Sequence, residues 1–512
     1  MCPTGSLAPK RWRRWDFSVN GLQFAIPEPV RLALGALRQA HRQAYIVGGA
    51  VRDLLRGLKP QDYDLATDAP PEEVAAIVSA RGWKAVDRLG MNLGVTVAII
   101  DGCPIEITTF RGERYGSDAH RPAQVWYAAT LAEDLSRRDF TINAMALDAA
   151  GELVDPWGGA ADLAQGIIRT VGDPAARFAE DALRMFRACR FAAQLGFSVD
   201  PALAAAIPGC LHRTAGLAVE RIRNEIDKML AAAHPAAGLD LFVRSGLAAA
   251  RCRRRIDGQD TLVEILPELG HLVDLPQNSA YHRFDAWRHT LATVEGVRPE
   301  PALRWAALLH DVGKGLDGVR GVNRHGAWTD FGHARAGAEI ARTALIRLGY
   351  GTPLVRLVRW LVASHMRLGA HSNWNMATAV RWVRKEAVSG GWPAAAALAG
   401  AFRLLGELGA ADAAAAKDAP EQAAALAAAG NFLAALAEKI PVRPAELAVR
   451  GQDLLLVLGS GQQIGLFLKA ALRRVQDGAL ANDRESLLKA AQRWQARKAA
   501  VQPAARDAGD EK

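Results

Sequence analysis

From about Ala44 to Pro156 the apolar positions fall in short runs: Tyr45–Val47, Gly94–Ile100, Ile105–Phe110 and Ala144–Leu147. Turns rich in Gly, Pro and Asp separate them, a pattern that predicts strands. Val51-Arg-Asp-Leu-Leu55 has helical spacing instead. After Asp155-Pro156 the strand pattern stops. From Asp162 onward, apolar residues recur every three or four positions in sequence rich in Ala and Leu, which predicts helix after helix. The order implies an α+β multidomain chain, with a small mixed α/β head followed by an all-α body.

The body has seams. His234-Pro-Ala-Ala-Gly238 breaks a helix, and Arg251–Asp260 reads as a charged connector. A histidine-rich block spans His271 to His371. An alanine-heavy stretch follows from Gly390 to about Glu438, compatible with helix because alanine is the best helix former. A basic C-terminal portion (Lys469, Arg473, Arg474, Lys489, Arg493, Arg497, Lys498) ends in a polar tail at 501–512.

Composition narrows the class. The 512 residues exceed one hydrophobic core. The 63 basic and 54 acidic residues give +9, which fits a polyanionic partner. No apolar run is long enough to span a bilayer. Lys10, Arg11, Arg13 and Arg14 lie among tryptophans in a basic N-terminal extension, without the apolar stretch of a signal peptide. Five scattered cysteines form no disulfide framework and no CxxC pair, as expected of a cytoplasmic protein.

The sharpest local feature is Tyr45-Ile-Val-Gly-Gly-Ala-Val-Arg-Asp53 followed by Asp62-Tyr-Asp64. A strand entering Gly48-Gly49 and then a helix leaves backbone N–H groups free to hold phosphate, and Arg52 adds charge. On a strand, Asp62 and Asp64 face the same way. Such a pair suits Mg²⁺ shared with a nucleoside triphosphate. Read as a surface turn, the same motif carries nothing; the diglycine upstream favours the site.

These residues, with Ile105-Glu-Ile-Thr-Thr-Phe-Arg111, Glu133–Ala144, Phe178–Phe191 and Glu220–Glu225, resemble the bacterial-type (class II) tRNA nucleotidyltransferase and poly(A) polymerase family. The resemblance implies a polymerase β-like head in which Asp62 and Asp64 bind two metals that activate an RNA 3′-hydroxyl. Glu106 is a third acid or a solvated strand carboxylate. The same resemblance puts Arg138, Asp139 and Asn143 near the sugar and phosphates of the nucleotide. Asp181 and Arg184, spaced i, i+3, are assigned to reading the base. An Asp acceptor with an Arg donor matches the amine and ring nitrogen shared by cytosine and adenine. Uracil or guanine would leave the Asp unpaired, at ~1–3 kcal/mol. Without the resemblance, such a pair is an ordinary salt bridge. Arg187 and Arg190 continue the stripe as phosphate contacts or helix charge.

Leu309-His310-Asp311-Val-Gly-Lys314 resembles the HD phosphohydrolase motif. His289, His310 and Asp311 are ligand candidates for a divalent transition metal, and His333 and His365 would extend the site. The family's final Asp has no clear counterpart; Asp412 follows only loosely, which puts hydrolysis in doubt. Arg450–Leu455, Ile464-Gly465 and Asp477–Asn482 look like the C-terminal body of HD-containing members.

The expected layout is an extension (1–28), head (29–157), neck with the base-selecting helix (158–240), HD domain (255–390), tRNA-binding helical body (391–500) and disordered tail. The expected activity is addition of the 3′-terminal CCA to tRNA from CTP and ATP. Rivals are poly(A) polymerase and an enzyme adding only C or only A. Against the first, Arg111–Pro122 resembles the mobile loop of CCA- or A-adding enzymes, and Leu89–Gly94 lacks a basic run. From other classes come an HD phosphohydrolase with a nucleotide-binding head and a non-catalytic RNA-binding module. The latter would not need Asp62 and Asp64.

Overall fold

A computed structural model describes residues 16–19, 22–86, 94–115, 122–369, 376–416 and 419–501. Lys10–Arg14, residues 89–93, part of the 111–122 loop, His371 and the tail from 502 lie outside them. The chain forms two compact units, one running to Gly270 together with 347–349, the other comprising His271–Ile346 and everything from Tyr350. No single described helix is long and apolar enough to cross a membrane.

In the first unit a hairpin of β1 (Asp16–Val19) and β2 (Leu22–Ala25) precedes α1 (Glu28–Gln39). This hairpin falls within the expected N-terminal extension. The central sheet then takes β3 (Ala44–Val47), β4 (Asp64–Thr67), β5 (Lys84–Val86), β6 (Val95–Ile100) and β7 (Cys103–Thr109). The pair β8 (Arg111–Tyr115) and β9 (Pro122–Tyr127) stands apart, while β10 (Ala146–Leu147) and β11 (Leu153–Val154) return to the main sheet. Its order is β11-β10-β3-β4-β7-β6-β5, and only β4 and β7 pair in parallel.

Two-residue periodicity sorts the faces. Ile46, Leu65, Ile105 and Ile107 pack with Val30, Leu34 and Leu37 of α1 and Val74, Ile77 and Val78 of α3 (Pro71–Ser79). Asp64 and Glu106 share register and point to the other face, which begins beside Val47 and Ala66. Between β3 and β4 runs α2 (Gly49–Leu55), and after β9 comes α4 (Leu131–Ser136).

The neck is helical: α5 (Gly159–Gln165), α6 (Pro174–Glu180), α7 (Leu183–Leu195), α8 (Pro201–Cys210), α9 (Val219–Leu230) and α10 (Pro235–Arg244). Two short strands, β12 (Ile167–Ile168) and β13 (Ser198–Val199), pair within it. Strands do not stop at Asp155. The expected connector at Arg251–Asp260 is a hairpin, β14 (Arg251–Ile256) with β15 (Gln259–Glu264). Its turn is Asp257-Gly258, both at positive φ (49° and 83°), the conformation that an Asp-Gly hairpin favours.

The second unit holds α11 (Ala286–Gly296), α12 (Pro301–Leu309), a small hairpin β16 (Arg320–Val322)–β17 (Trp328–Asp330), α13 (His333–Arg347), α14 (Thr352–Gly369) and α15 (Met376–Ser389). The alanine-heavy stretch folds as α16 (Ala395–Ala416) against α17 (Pro420–Ala437). The helices meet at Gly406 and Gly430, where a methyl on either would lie 2.8 or 2.6 Å from the other's Cα. The tail helices α18 (Gly451–Leu458), α19 (Gly461–Gln476) and α20 (Arg484–Val501) enclose their own core of Leu454, Phe467, Val475 and Leu487.

Candidate functional site

The open face of the head sheet borders a cavity of about 1350 Å³. All the nucleotide and head-metal candidates line it: Gly48, Gly49, Arg52, Asp62, Asp64, Glu106, Arg138, Asp139, Asn143, Asp181, Arg184, Arg187 and Arg190. Gly48 has φ 73°, and a Cβ there would come 3.0 Å from an Arg138 nitrogen. Glycine thus provides both the backbone turn into α2 and room for the guanidinium.

Asp64 opens β4, but Asp62 lies two residues before the strand. Asp62 and Glu106 are exposed and Asp64 is half-buried. Burial pushes the Asp64 carboxyl up to about 6, with the Asp62 and Glu106 carboxylates adding to the rise and Arg138 opposing it. Three acids on one wall, mutually repelling, make a donor set suited to a hard divalent cation.

Opposite the acids the wall is basic and cross-braced. Asp134, fully buried and missed in the sequence, accepts from Arg137 Nη2 at 2.7 Å and Arg138 Nη2 at 3.1 Å. Arg137 also donates to Glu113 at 2.8 Å. Arg52 donates to Asn143 Oδ1 at 2.9 Å, and Asn143 Nδ2 donates to Asp139 at 3.3 Å. Asp139 forms an ion pair with Arg187 at 2.6 Å. Burial pushes the Asp139 carboxyl up, but Arg187, Asn143 and the Phe140 N–H together hold it below its ordinary value. Arg190 is tied to Glu225 at 2.6 Å and lies over the Phe191 ring.

Asp181 and Arg184 do not share one helix. The chain breaks between α6 and α7, with Asp181 in extended conformation at the break. The cause is local: Asp181 Oδ1 accepts the Leu183 N–H at 2.9 Å, a capping bond that competes with helix continuation. Arg184 is held by the Glu180 carboxylate, by the Arg177 carbonyl at 3.1 Å and by the Arg137 carbonyl at 2.8 Å. Both side chains still reach the same cavity, which Arg187 and Arg190 also line.

The second unit carries a different centre. His289 projects from α11, His310 and Asp311 end α12, His333 opens α13 and His365 belongs to α14. Two groups have metal-ligand spacing, His289–His310–Asp311 and Asp311–His333–His365. Gly313 permits the approach of α13, since a methyl there would meet the His333 carbonyl at 2.2 Å. Backbone carbonyls hold the Nδ1 atoms of His310 (Ala307, 2.8 Å), His333 (Asp330, 2.7 Å) and His365 (Val362, 2.7 Å). Those contacts turn each Nε2 inward, the usual second layer behind a metal-binding imidazole.

Asp412, which follows the motif only loosely in the sequence, comes beside this cluster. On α16, it sits 3.0 Å from His289 Nε2 and 3.9 Å from His310 Nε2. Burial and the neighbouring His310 and His333 push His365 down to about 4. Burial opposes ionisation of Asp311 and Asp412, yet the adjacent imidazoles hold both carboxyls low. Against burial, Asp311 and Asp412 in turn push His310 up, and this set of imidazole nitrogens and carboxylate oxygens is one that suits a divalent transition metal. Lys314 reaches Asp311 at 2.6 Å and Gln277 at 2.7 Å beside a cavity of about 560 Å³.

A mixed sheet with acids beside an arginine-lined cavity, followed by a helical neck and a histidine–aspartate helical domain, defines a nucleotidyltransferase with an HD domain. Residues 44–169 match the poly A polymerase head domain, 196–250 the probable RNA and SrmB-binding site of polymerase A, and 287–396 the HD domain. The CCA-adding enzyme of Geobacillus kaustophilus (strain HTA426) is 36% identical over 327 residues, covering 61% of this chain and 76% of that one. A CCA-adding enzyme of Geobacillus sp. (strain WCH70) is 46% identical over 223 residues, 43% of this chain and 54% of its own. The chain thus spans about half the length of some of the curated relatives it matches. The crystal structure of the Bacillus stearothermophilus CCA-adding enzyme in complex with CTP superposes with a TM-score of 0.61 at 27% identity, covering 93% of this chain and all of that one. The chain belongs to the CCA-adding enzyme family.

Proposed function

We propose that this protein adds the 3′-terminal CCA to tRNA, using CTP and ATP and no nucleic-acid template. The observation that supports this reading is that one cavity joins Asp62, Asp64 and Glu106 to Asp181 and Arg184, so that acids suited to the chemistry and groups suited to base reading open onto one space. Asp62 and Asp64, with Glu106 beside them, would hold Mg²⁺. Bound there, Mg²⁺ supplies activation of the tRNA 3′-hydroxyl and neutralises charge building on the triphosphate. The N–H groups after Gly48, with Arg52 and Arg138, hold the phosphates, while Asp139 and Asn143 lie where the ribose would sit. Asp181 accepts the exocyclic amine of cytosine or adenine and Arg184 donates to the ring nitrogen. In this reading the chain works in the cytoplasm, where its cysteines stay reduced.

The test is incorporation into tRNA transcripts ending before CCA, after C and after CC, with all four nucleotides present and the 3′ ends sequenced. Ordered CCA followed by arrest is expected. Long A tails would point to poly(A) polymerase, and C alone or A alone to a divided pathway. Replacing Asp62 and Asp64 together with Ala should lower addition by ~10³-fold or more, the scale of a lost metal contribution. The same variant should bind tRNA within about twofold of the parent; unchanged addition would refute the acid assignment.

Asp412 favours a second reading, a metal-dependent phosphohydrolase in the HD domain. His289, His310, Asp311, His333, His365 and Asp412 would hold a divalent transition metal there. Asp412→Ala should weaken Mn²⁺ or Ni²⁺ binding by about 10–100-fold in calorimetric titration. Equal affinity would remove Asp412 from the site.

A further inference from the structure

Phe191 is 5% exposed and lines the head cavity, yet no polar chemistry has been assigned to it. Three guanidiniums surround its ring: Arg190 at 4.0 Å from the centroid, Arg52 at 5.5 Å and Arg187 at 5.9 Å. Each arginine also has a carboxylate, Asp53 for Arg52 at 2.9 Å, Asp139 for Arg187 at 2.6 Å and Glu225 for Arg190 at 2.6 Å. Phe140 meets Phe191 edge-on at 5.5 Å and fixes its orientation.

These contacts close on themselves. Arg52 of α2 donates to Asn143, Asn143 donates to Asp139, Asp139 pairs with Arg187 of α7, and Arg187 returns to Arg52 across the Phe191 ring. The polar side of this circuit has its longest step, 3.3 Å, between Asn143 and Asp139. Clustered cations repel one another, and the negative face of an aromatic ring offsets that repulsion.

We infer that Phe191 is a positioning residue. It holds the arginine of the head helix and the arginine pair of the neck helix at the spacing that receives the nucleotide's sugar and phosphates. The inference rests on the nucleotidyltransferase reading, and it places Phe191 behind the arginines, not against the substrate. Asp181 and Arg184 line the same cavity, and Arg187 pulls on the Asp181 carboxylate; the ring acts on the circuit's arginines directly and on Asp181 only through Arg187, so base choice should depend on it less than affinity does.

The experiment compares Phe191→Leu, Phe191→Met and Phe191→Tyr with the parent. CTP binding is measured by equilibrium dialysis without tRNA, and KM and kcat are measured with tRNA saturating. Phe191→Leu should weaken CTP binding about tenfold, one or two cation–π contacts in size. KM for CTP and for ATP should rise together with kcat within about twofold, the pattern of lost uniform binding. Preference for CTP over UTP should persist, and Phe191→Tyr should restore binding to within about twofold of the parent. Should the leucine variant fail to fold, Phe191→Met, which keeps bulk without a ring, decides the same question. Three results would overturn the inference: parental CTP binding without the ring, equal loss in the tyrosine variant, or base preference collapsing with affinity, as general loosening of α7 would produce. A parent that binds CTP but extends no tRNA would defeat the functional reading, and the dialysis series would still decide the role of Phe191.

Discussion

Burial at the head of α7 pushes the Asp181 carboxyl up to about 6, against the pull of the Leu183 N–H, Arg184 and Arg187. Its ordinary value is near 3.9. Between about pH 4 and pH 6 the folded protein therefore binds more protons than the unfolded chain, so stability falls as pH rises through that window. At neutral pH the ligand-free protein carries an ionised acid that burial disfavours, a cost that an incoming amine donor would reduce. Asp181→Asn keeps an oxygen for the Leu183 N–H and removes the charge. Thermal melts should show the variant more stable than the parent at pH 7.5, with the difference closing near pH 4. Sequencing of extended tRNA ends should show discrimination against UTP falling by roughly tenfold, because the amide can turn to donate to a carbonyl. A variant no more stable at pH 7.5 would mean that Asp181 is better solvated than its burial indicates. The pair was singled out through the family resemblance, since residue type and spacing alone fit an ordinary salt bridge. Its backbone was not legible, because Glu-Asp-Ala-Leu-Arg has the look of continuous helix and the break arises from a single side-chain bond to Leu183.

At the scale of elements, what the sequence left unread was the arrival of residues on distant helices. Asp412 stands alone in a run of alanines, so no local pattern marks it; α16 brings it to His289 by packing along α11. The Arg251–Ile256 strand was hidden by its four arginines, although Asp257-Gly258 was a readable hairpin signal and Cys252 opposite Val263 supplies the inward-facing pair. Close approach of α16 and α17 depends on Gly406 and Gly430. In Gly430→Ala the new methyl would lie 2.6 Å from the Gly406 Cα and 2.7 Å from the Phe402 carbonyl, both backbone atoms that cannot move aside. Helix propensity returns about 1 kcal/mol for Gly→Ala. Overpacking costs about 1–3 kcal/mol and more against rigid neighbours, so the net is destabilising. Calorimetry should show the transition of this unit lowered by a few degrees, about 2–4 °C per kcal/mol. A raised midpoint would show that the helices can separate without cost.

For the whole molecule, the +9 balance acquires meaning from where the charges sit. In the head cavity Arg52, Arg187 and Arg190 are held by carboxylates and by the Phe191 ring, an arrangement for a small anion. In the tail, Lys469, Arg473 and Arg474 on α19 and Lys489, Arg493 and Arg497 on α20 are exposed. The helices beneath them are fixed by their own core, with Phe467 edge-on to Trp494 at 6.0 Å. A rigid basic surface recognises phosphate spacing and shape instead of base sequence. If it carries the tRNA, affinity must fall linearly with salt on a log–log plot, and each lost phosphate contact must reduce the slope by roughly 0.7–0.9. The combined variant Arg474→Ser, Arg493→Ser, Arg497→Ser removes three charges without touching the core. Filter binding across a salt series should then show weaker tRNA affinity and a slope smaller by about 2–3. KM for CTP at saturating tRNA should not move, since the variant leaves the head cavity intact. An unchanged slope would transfer tRNA binding to another surface, and a raised KM for CTP would mean that the tail also shapes the nucleotide site.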